Sequence, residues 1–198
     1  MSAARIPPLG DGEWDGAVEE VLAPWRIPGE NGSPSRVPNI FATLARNPQL
    51  LAAWEPFAAE ILLRGALPAR DRELLVMRTA WNCRCSYIWS SHHAGHGPEA
   101  GLTAEEMARI PQGPAAAGWS EWDATLLRAA DELHGTATIA SETWEPLAAR
   151  YGESELIEVA MLVGEYHLMA YALNSLAVPD EAGAVGLPAE PPPGTTVQ

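Results

Sequence analysis

Glu73, Cys85 and His92 bring a carboxylate, a thiol and an imidazole into one short stretch, Pro68 to Gly97, which holds both cysteines and three of the five histidines. Those three types can hold and move a proton, and the thiolate can attack an electrophile. Read as a helix, Ala69–Asn82 places Val76, Met77, Ala80 and Trp81 within about 80° of Glu73, so the carboxylate sits in the middle of an apolar face. An unpartnered ion there is costly, so Glu73 must be paired, hydrogen-bonded or partly protonated. The Asn82-Cys83-Arg84-Cys85 segment breaks the apolar rhythm. A second helix is expected to start near Ser86 and to stop at Gly97-Pro98. Cys85 would then stand at its N-terminus, where free N–H groups favour a thiolate, with His92 two turns on along the same side. Folding the two helices against each other would bring Glu73, Cys85 and His92 together as a catalytic group.

These residues have plain structural readings as well. Glu73 could be a buried carboxylate satisfied by arginine or tryptophan N–H groups. Cys85, and Cys83 more so, read as small buried hydrophobes. His92 and His96 are four residues apart, as two ligands on one helix face would be, but no third ligand is evident and no metal is assigned. His167 reads as a packed histidine on the last helix, and the tryptophans as core or interface anchors.

The run Leu67-Pro68, Arg72-Glu73-Leu74, Arg78-x-Ala80-Trp81 and Cys85-Ser86-Tyr87-x-Trp89-x-x-His92 resembles the carboxymuconolactone decarboxylase and alkyl hydroperoxidase D-like superfamily. Looser similarity takes in Pro38-Asn39-Ile40-Phe41 and Asn174-x-x-x-Val178-Pro179. In the peroxidase branch of that family a Glu is followed after twelve residues by Cys, after three more by a second Cys and after four by His. Glu73, Cys85 and His92 match three of those positions, and Ile88 occupies that of the second cysteine. The resemblance implies an all-α, usually oligomeric fold with a Glu/Cys/His proton relay. With the Cys-x-x-Cys pair broken, catalytic peroxide turnover is not expected, and Cys85 is expected to be the more reactive thiol. Tyr87, Trp89, His96 and His167 are the candidates to bind substrate.

Composition narrows the classes. The chain has 198 residues, 47% of them hydrophobic, enough for one sizeable core. A net charge of −14 argues against nucleic acid and anionic membrane as partners. All twelve basic residues are arginine, so Schiff-base chemistry, a lysine-anchored pyridoxal phosphate and a Walker-type lysine are excluded. No cofactor is assigned. No membrane span or secretory signal is read, and the expected compartment is the cytoplasm, where two cysteines two residues apart remain thiols.

The organisation expected is an N-terminal arm, short helix and loop over 1–38, a helical domain over 39–180 and a Pro-rich disordered tail over 181–198. Helices are expected at Glu13–Trp25, from an Asn39 cap to Arg46, from Pro48 to Leu63 with a kink at Pro56, after a Thr103/Glu106 capping box to Ile110, from a Ser120 cap to a stop at Gly135, from a Ser141 cap to Tyr151, and from Glu155 to about Leu176. No alternating β-branched run is present, so the fold class is all-α. The apolar character of Leu74, Leu75 and Met77, nearly all round one helix, suggests cover by a neighbouring subunit, hence a homo-oligomer. Three functions fit. The first is a cofactor-free acid–base enzyme acting on a small acidic, lactone or carbonyl compound. The second is a thiol peroxidase or disulfide reductase using Cys85. The third is a non-catalytic helical oligomer that binds a small molecule.

Overall fold

The computed structural model describes residues 3–28 and 35–189. Among the described residues ten α-helices follow in order: α1 (Gly16–Leu22), α2 (Asn39–Leu44), α3 (Pro48–Ala59), α4 (Ala69–Asn82), α5 (Ser86–Ser91), α6 (Gly97–Glu99), α7 (Ala104–Arg109), α8 (Glu121–Thr136), α9 (Ser141–Arg150) and α10 (Glu153–Leu176). Among the described residues the one extended pairing is an isolated bridge between Ile27 and Arg36, so the fold is all-α as expected. Residues 29–34 of the expected N-terminal loop and residues 190–198 of the expected tail lie outside the described residues.

The chain falls into two compact units, one formed by residues 1–65 and 171–183, the other by residues 66–170 and 184–198. In the first, Val18, Val21, Leu22, Ala45 and Leu51 form a core that Trp14, Phe41 and Trp54 flank. Trp25 stacks on Phe41 at 3.7 Å. The proline-rich arm is held by Arg46 Nε, which donates to the Pro7 carbonyl at 2.8 Å, and by the Arg5 N–H, which donates to the Leu176 carbonyl at 2.9 Å. Asn39 does not cap α2. Its side chain instead donates to the Pro179 carbonyl at 3.1 Å, and α2 begins after Pro38.

The second unit is built round α4. Leu74, Leu75, Met77 and Ala80 are fully buried, and α8 is its most extensive partner. The same chain therefore covers α4 all round, and the helix gives no argument for a neighbouring subunit. Arg78 ties the packing down: Nε donates to Asp131 Oδ1 at 2.6 Å and Nη1 to the Ile110 carbonyl at 2.7 Å. Asp71 is buried beneath Tyr151 Oη at 2.6 Å and Trp122 Nε1 at 3.0 Å.

Helix boundaries depart from expectation where chain packing outweighs local signals. Gly97-Pro98 does not stop the second helix of the central pair. His92–His96 forms a π-helical turn, and the helix resumes through Glu99. Proline is tolerated there because it falls in a first turn. Gly97 serves close packing, since a Cβ would lie 3.0 Å from both the His92 carbonyl and Met107 Sδ. Gly135 lies inside α8, which ends at Ala137 in the left-handed region (φ 58°). The cap of α9 is Ala140 rather than Ser141. The Thr103/Glu106 capping box and the Ser120 cap form as expected. By length and mean hydropathy α10 could cross a membrane. It reads as a core helix instead, since Val159, Leu162, Val163, Tyr166, Met169 and Ala170 are buried.

Candidate active site

The turn between α4 and α5 sets the geometry. Cys83 ends α4, Arg84 takes the left-handed conformation (φ 53°), and Cys85 precedes the first turn of α5. This reversal lays α5 back along α4, so that His92, at the start of the π-helical turn, reaches Glu73. His92 Nδ1 lies 2.6 Å from Glu73 Oε2, and both side chains are buried, at 7% and 0% exposure. The Nδ1–H donates to the carboxylate, which leaves Nε2 as the ring's working nitrogen. Glu73 Oε1 accepts from Arg72 Nε at 3.3 Å. This is the pairing expected of a carboxylate centred on an apolar face.

Tyr166, on α10, completes the group. Its Oη lies 3.2 Å from His92 Nε2, and its ring meets the imidazole edge-on at 5.3 Å. The result is one hydrogen-bonded row, Tyr166–His92–Glu73–Arg72. Burial alone would lift the Glu73 carboxyl, but the hydrogen bond and charge of His92, with His96 and Arg72, outweigh it and hold the group below its ordinary value. Burial, reinforced by the Glu73 charge, raises Tyr166, which stays protonated. His96, with its ring 4.8 Å from that of His92, lies below the usual histidine value, first through burial and then through repulsion by His92.

Cys85 is fully buried at the start of α5. Seven residues at about 1.5 Å rise separate it from His92 by about 10 Å along the helix axis, with Ile88 buried on the turn between. Tyr87 and Trp89 are also buried, Trp89 edge-on to Trp81 at 6.2 Å. His167 lies elsewhere: its Nε2 is 2.9 Å from His134 Nδ1, which is in turn 3.9 Å from Cys83 Sγ. Burial, with Cys85 nearby, pushes the Cys83 thiol up to about 11. Neither cysteine is in a disulfide. Sequence reasoning missed Tyr166 and His134. The one local signal was Glu165-Tyr166-His167, three hydrogen-bonding side chains in succession on an otherwise apolar helix.

The sequence pattern of the Carboxymuconolactone decarboxylase family matches residues 48–132, a span that includes Glu73, Cys85 and His92 but not Tyr166. No curated protein matches the chain in sequence. Among solved structures, the chain is similar to an uncharacterised peroxidase-related protein with an alkylhydroperoxidase AhpD core from Ralstonia eutropha, at 16% identity and a TM-score of 0.74 over 92% of this chain and 94% of that one. A peroxidase-related protein from Silicibacter sp. is similar at 18% identity and a TM-score of 0.71, over 93% and 97% of the two chains. The debrominase Bmp8 is similar at 17% identity and a TM-score of 0.67, over 89% and 92%. At these identities the likeness shows a shared fold.

Proposed function

We propose that the chain is a member of the carboxymuconolactone decarboxylase/alkyl hydroperoxidase D-like superfamily, whose family pattern matches residues 48–132, and that it is an acid–base enzyme acting on a small acidic, lactone or carbonyl compound through Glu73 and His92, with chemistry that needs no cofactor. The observation that carries this reading is the 2.6 Å contact between His92 Nδ1 and a fully buried Glu73. A carboxylate on Nδ1 fixes the tautomer and stabilises the imidazolium that forms when Nε2 takes a proton. Tyr166 Oη stands at Nε2, so a substrate proton arriving there passes by exchange: the hydroxyl gives its proton to Nε2 as it receives the substrate's. The reverse hand-off returns a proton to a neighbouring atom of the substrate. Cys85, at the start of α5, orients substrate in this reading, and Tyr87, Trp89 and His96 remain candidates for its binding, whereas His167 pairs with His134 instead.

The test is exchange of carbon-bound hydrogen for deuterium in a panel of small lactones and oxo acids. Exchange that depends on both Glu73 and His92 supports the reading. Exchange unchanged in Glu73→Gln and His92→Asn overturns it. The burial of the row favours the second reading, a non-catalytic binding protein whose relay is a core network, and absence of exchange across the panel in the unaltered protein would lead there. The peroxidase alternative has Cys85 attacking and Cys83 resolving, with the Cys83 thiol raised to about 11. Efficient, Cys85-dependent peroxide consumption would promote it.

A homo-oligomer is part of this proposal, and α10 supplies its surface. Ile157, Met161, Leu168 and Tyr171 are exposed at 65%, 48%, 51% and 65%, at heptad-like spacing along α10 with exposed Gly164 between them. Such a seam suits another copy of the same helix. Light scattering that shows a monomer at micromolar concentration would contradict it. The proposed compartment is the cytoplasm, where both thiols stay reduced.

A further inference from the structure

We propose that Cys83, His134 and His167 form a site for a divalent transition-metal cation of the zinc class, with a thiolate and two imidazoles as ligands and a fourth position open to solvent or a small ligand. The ligand atoms of all three residues lie within 4.8 Å of one another. A tetrahedral zinc with bonds of about 2.3 Å to sulfur and 2.0–2.1 Å to nitrogen sets S···N near 3.5 Å and N···N near 3.3 Å. The observed Cys83 Sγ to His134 Nδ1 distance is 3.9 Å and the His134 Nδ1 to His167 Nε2 distance is 2.9 Å. These two pairs need to adjust by roughly half an ångström to reach coordination geometry, and the third, Cys83 Sγ to His167 Nε2, closes from within 4.8 Å. Three separate elements supply the ligands: the end of α4, the last turn of α8 and the middle of α10.

A second observation aims the cluster at a cation. His167 Nδ1 lies 2.7 Å from the Val163 carbonyl, which can only accept, so Nδ1 carries the proton and the Nε2 lone pair points into the cluster. A carbonyl holding the far nitrogen of a histidine is the arrangement that orients metal ligands. Without a cation the His134 Nδ1–H fills that lone pair. Binding a cation shifts the His134 proton to Nε2 and displaces the Cys83 proton to solvent. Asp131, one turn before His134, does not compete as a ligand. Its two oxygens accept from Arg78 at 2.6 and 2.9 Å and from Asn82 at 2.8 Å, which also neutralises the nearby guanidinium. His134 is exposed while Cys83 and His167 are half-buried, so a cation has a route in and keeps one face open.

Cobalt(II) reports the site directly, because a thiolate ligand gives a near-ultraviolet charge-transfer band and four-coordinate geometry gives intense visible bands. Titration of the metal-free full-length protein is expected to show both, at one cobalt per chain, and zinc is expected to displace them. Cys83→Ser should abolish the charge-transfer band while Cys85→Ser retains it. His134→Asn, at an exposed position that the fold tolerates, should weaken cobalt binding by more than about 100-fold, and His167→Gln likewise. Absence of the charge-transfer band in the unaltered protein, or its survival in Cys83→Ser, overturns the proposal. This readout is independent of Glu73 and His92, so its failure leaves the acid–base reading standing, and the converse holds.

Discussion

Two clusters flank the Cys83-Arg84-Cys85 turn, and each centres on a histidine paired through Nδ1. In one, His92 meets a buried carboxylate and a buried phenol. In the other, exposed His134 meets a second histidine and a thiol. The difference shows how partner and burial divide the work of one residue type. With Glu73 on Nδ1, an imidazolium has its counter-ion in place, so the group is suited to proton transfer. His134 contacts only a second imidazole and a thiol, and the nearby Asp131 is already engaged by Arg78 and Asn82, so the same nitrogen becomes a lone pair for a cation. Burial and the neighbouring His167 hold His134 below the usual histidine value, which agrees with that assignment.

The largest effects are expected at the buried cluster. Glu73→Gln keeps the shape and removes the charge, so turnover should fall by roughly two to four powers of ten while circular dichroism still shows the helical fold. His92→Ala should be the most destabilising single change, by about 3–5 kcal/mol in denaturant unfolding, because it leaves a fully buried carboxylate without its histidine. Tyr166→Phe tests the hydroxyl alone. Turnover should drop by about a hundredfold, with a stability loss of about 1 kcal/mol. A Phe variant with full activity would mean that protons reach His92 without the hydroxyl.

Acid sharpens the contrast. His96 and His134 both lie below their ordinary value of 6.5, so the unfolded chain takes up protons first as pH falls, and stability is lost from about pH 6.5 downward. Glu73, held below its ordinary 4.5, contributes stability that is fully present above that value and is lost below it, as pH falls through its lowered folded value. Unfolding followed by urea between pH 8 and 2 should therefore show two successive losses. His134→Asn should remove part of the first, and Glu73→Gln part of the second. On the alkaline side Tyr166 and Tyr151 are raised above their ordinary 10.0, so the unfolded chain gives up protons while the fold keeps them. Stability should fall again above pH 10. The smallest effect belongs to His134→Asn at neutral pH without metal, expected within about 0.5 kcal/mol, since the side chain is exposed.

The sequence made the first cluster legible and the second almost not. Helical periodicity put Glu73 in the middle of an apolar face, and the Asn82–Cys85 break marked the reversal that returns His92 to it. Both readings rest on local spacing, which a single chain displays. Tyr166 comes from α10, a helix apolar on nearly every side, where periodicity sets no phase and so does not say which way a tyrosine faces. His134 and His167 meet from different helices for the same reason. The misread stop at Gly97-Pro98 has its own cause. A glycine selected for close approach to Met107 looks, in sequence, like one selected to end a helix.

The most direct test is nitrogen-15 NMR of the His92 ring in the full-length protein. Nδ1 is expected to carry a strongly deshielded proton shared with Glu73, and Nε2 to be the nitrogen whose shift changes in Tyr166→Phe. Glu73→Gln should abolish the deshielded signal. A resting His92 with its proton on Nε2 and a bare Nδ1, or an Nδ1 signal indifferent to Glu73→Gln, would contradict the relay.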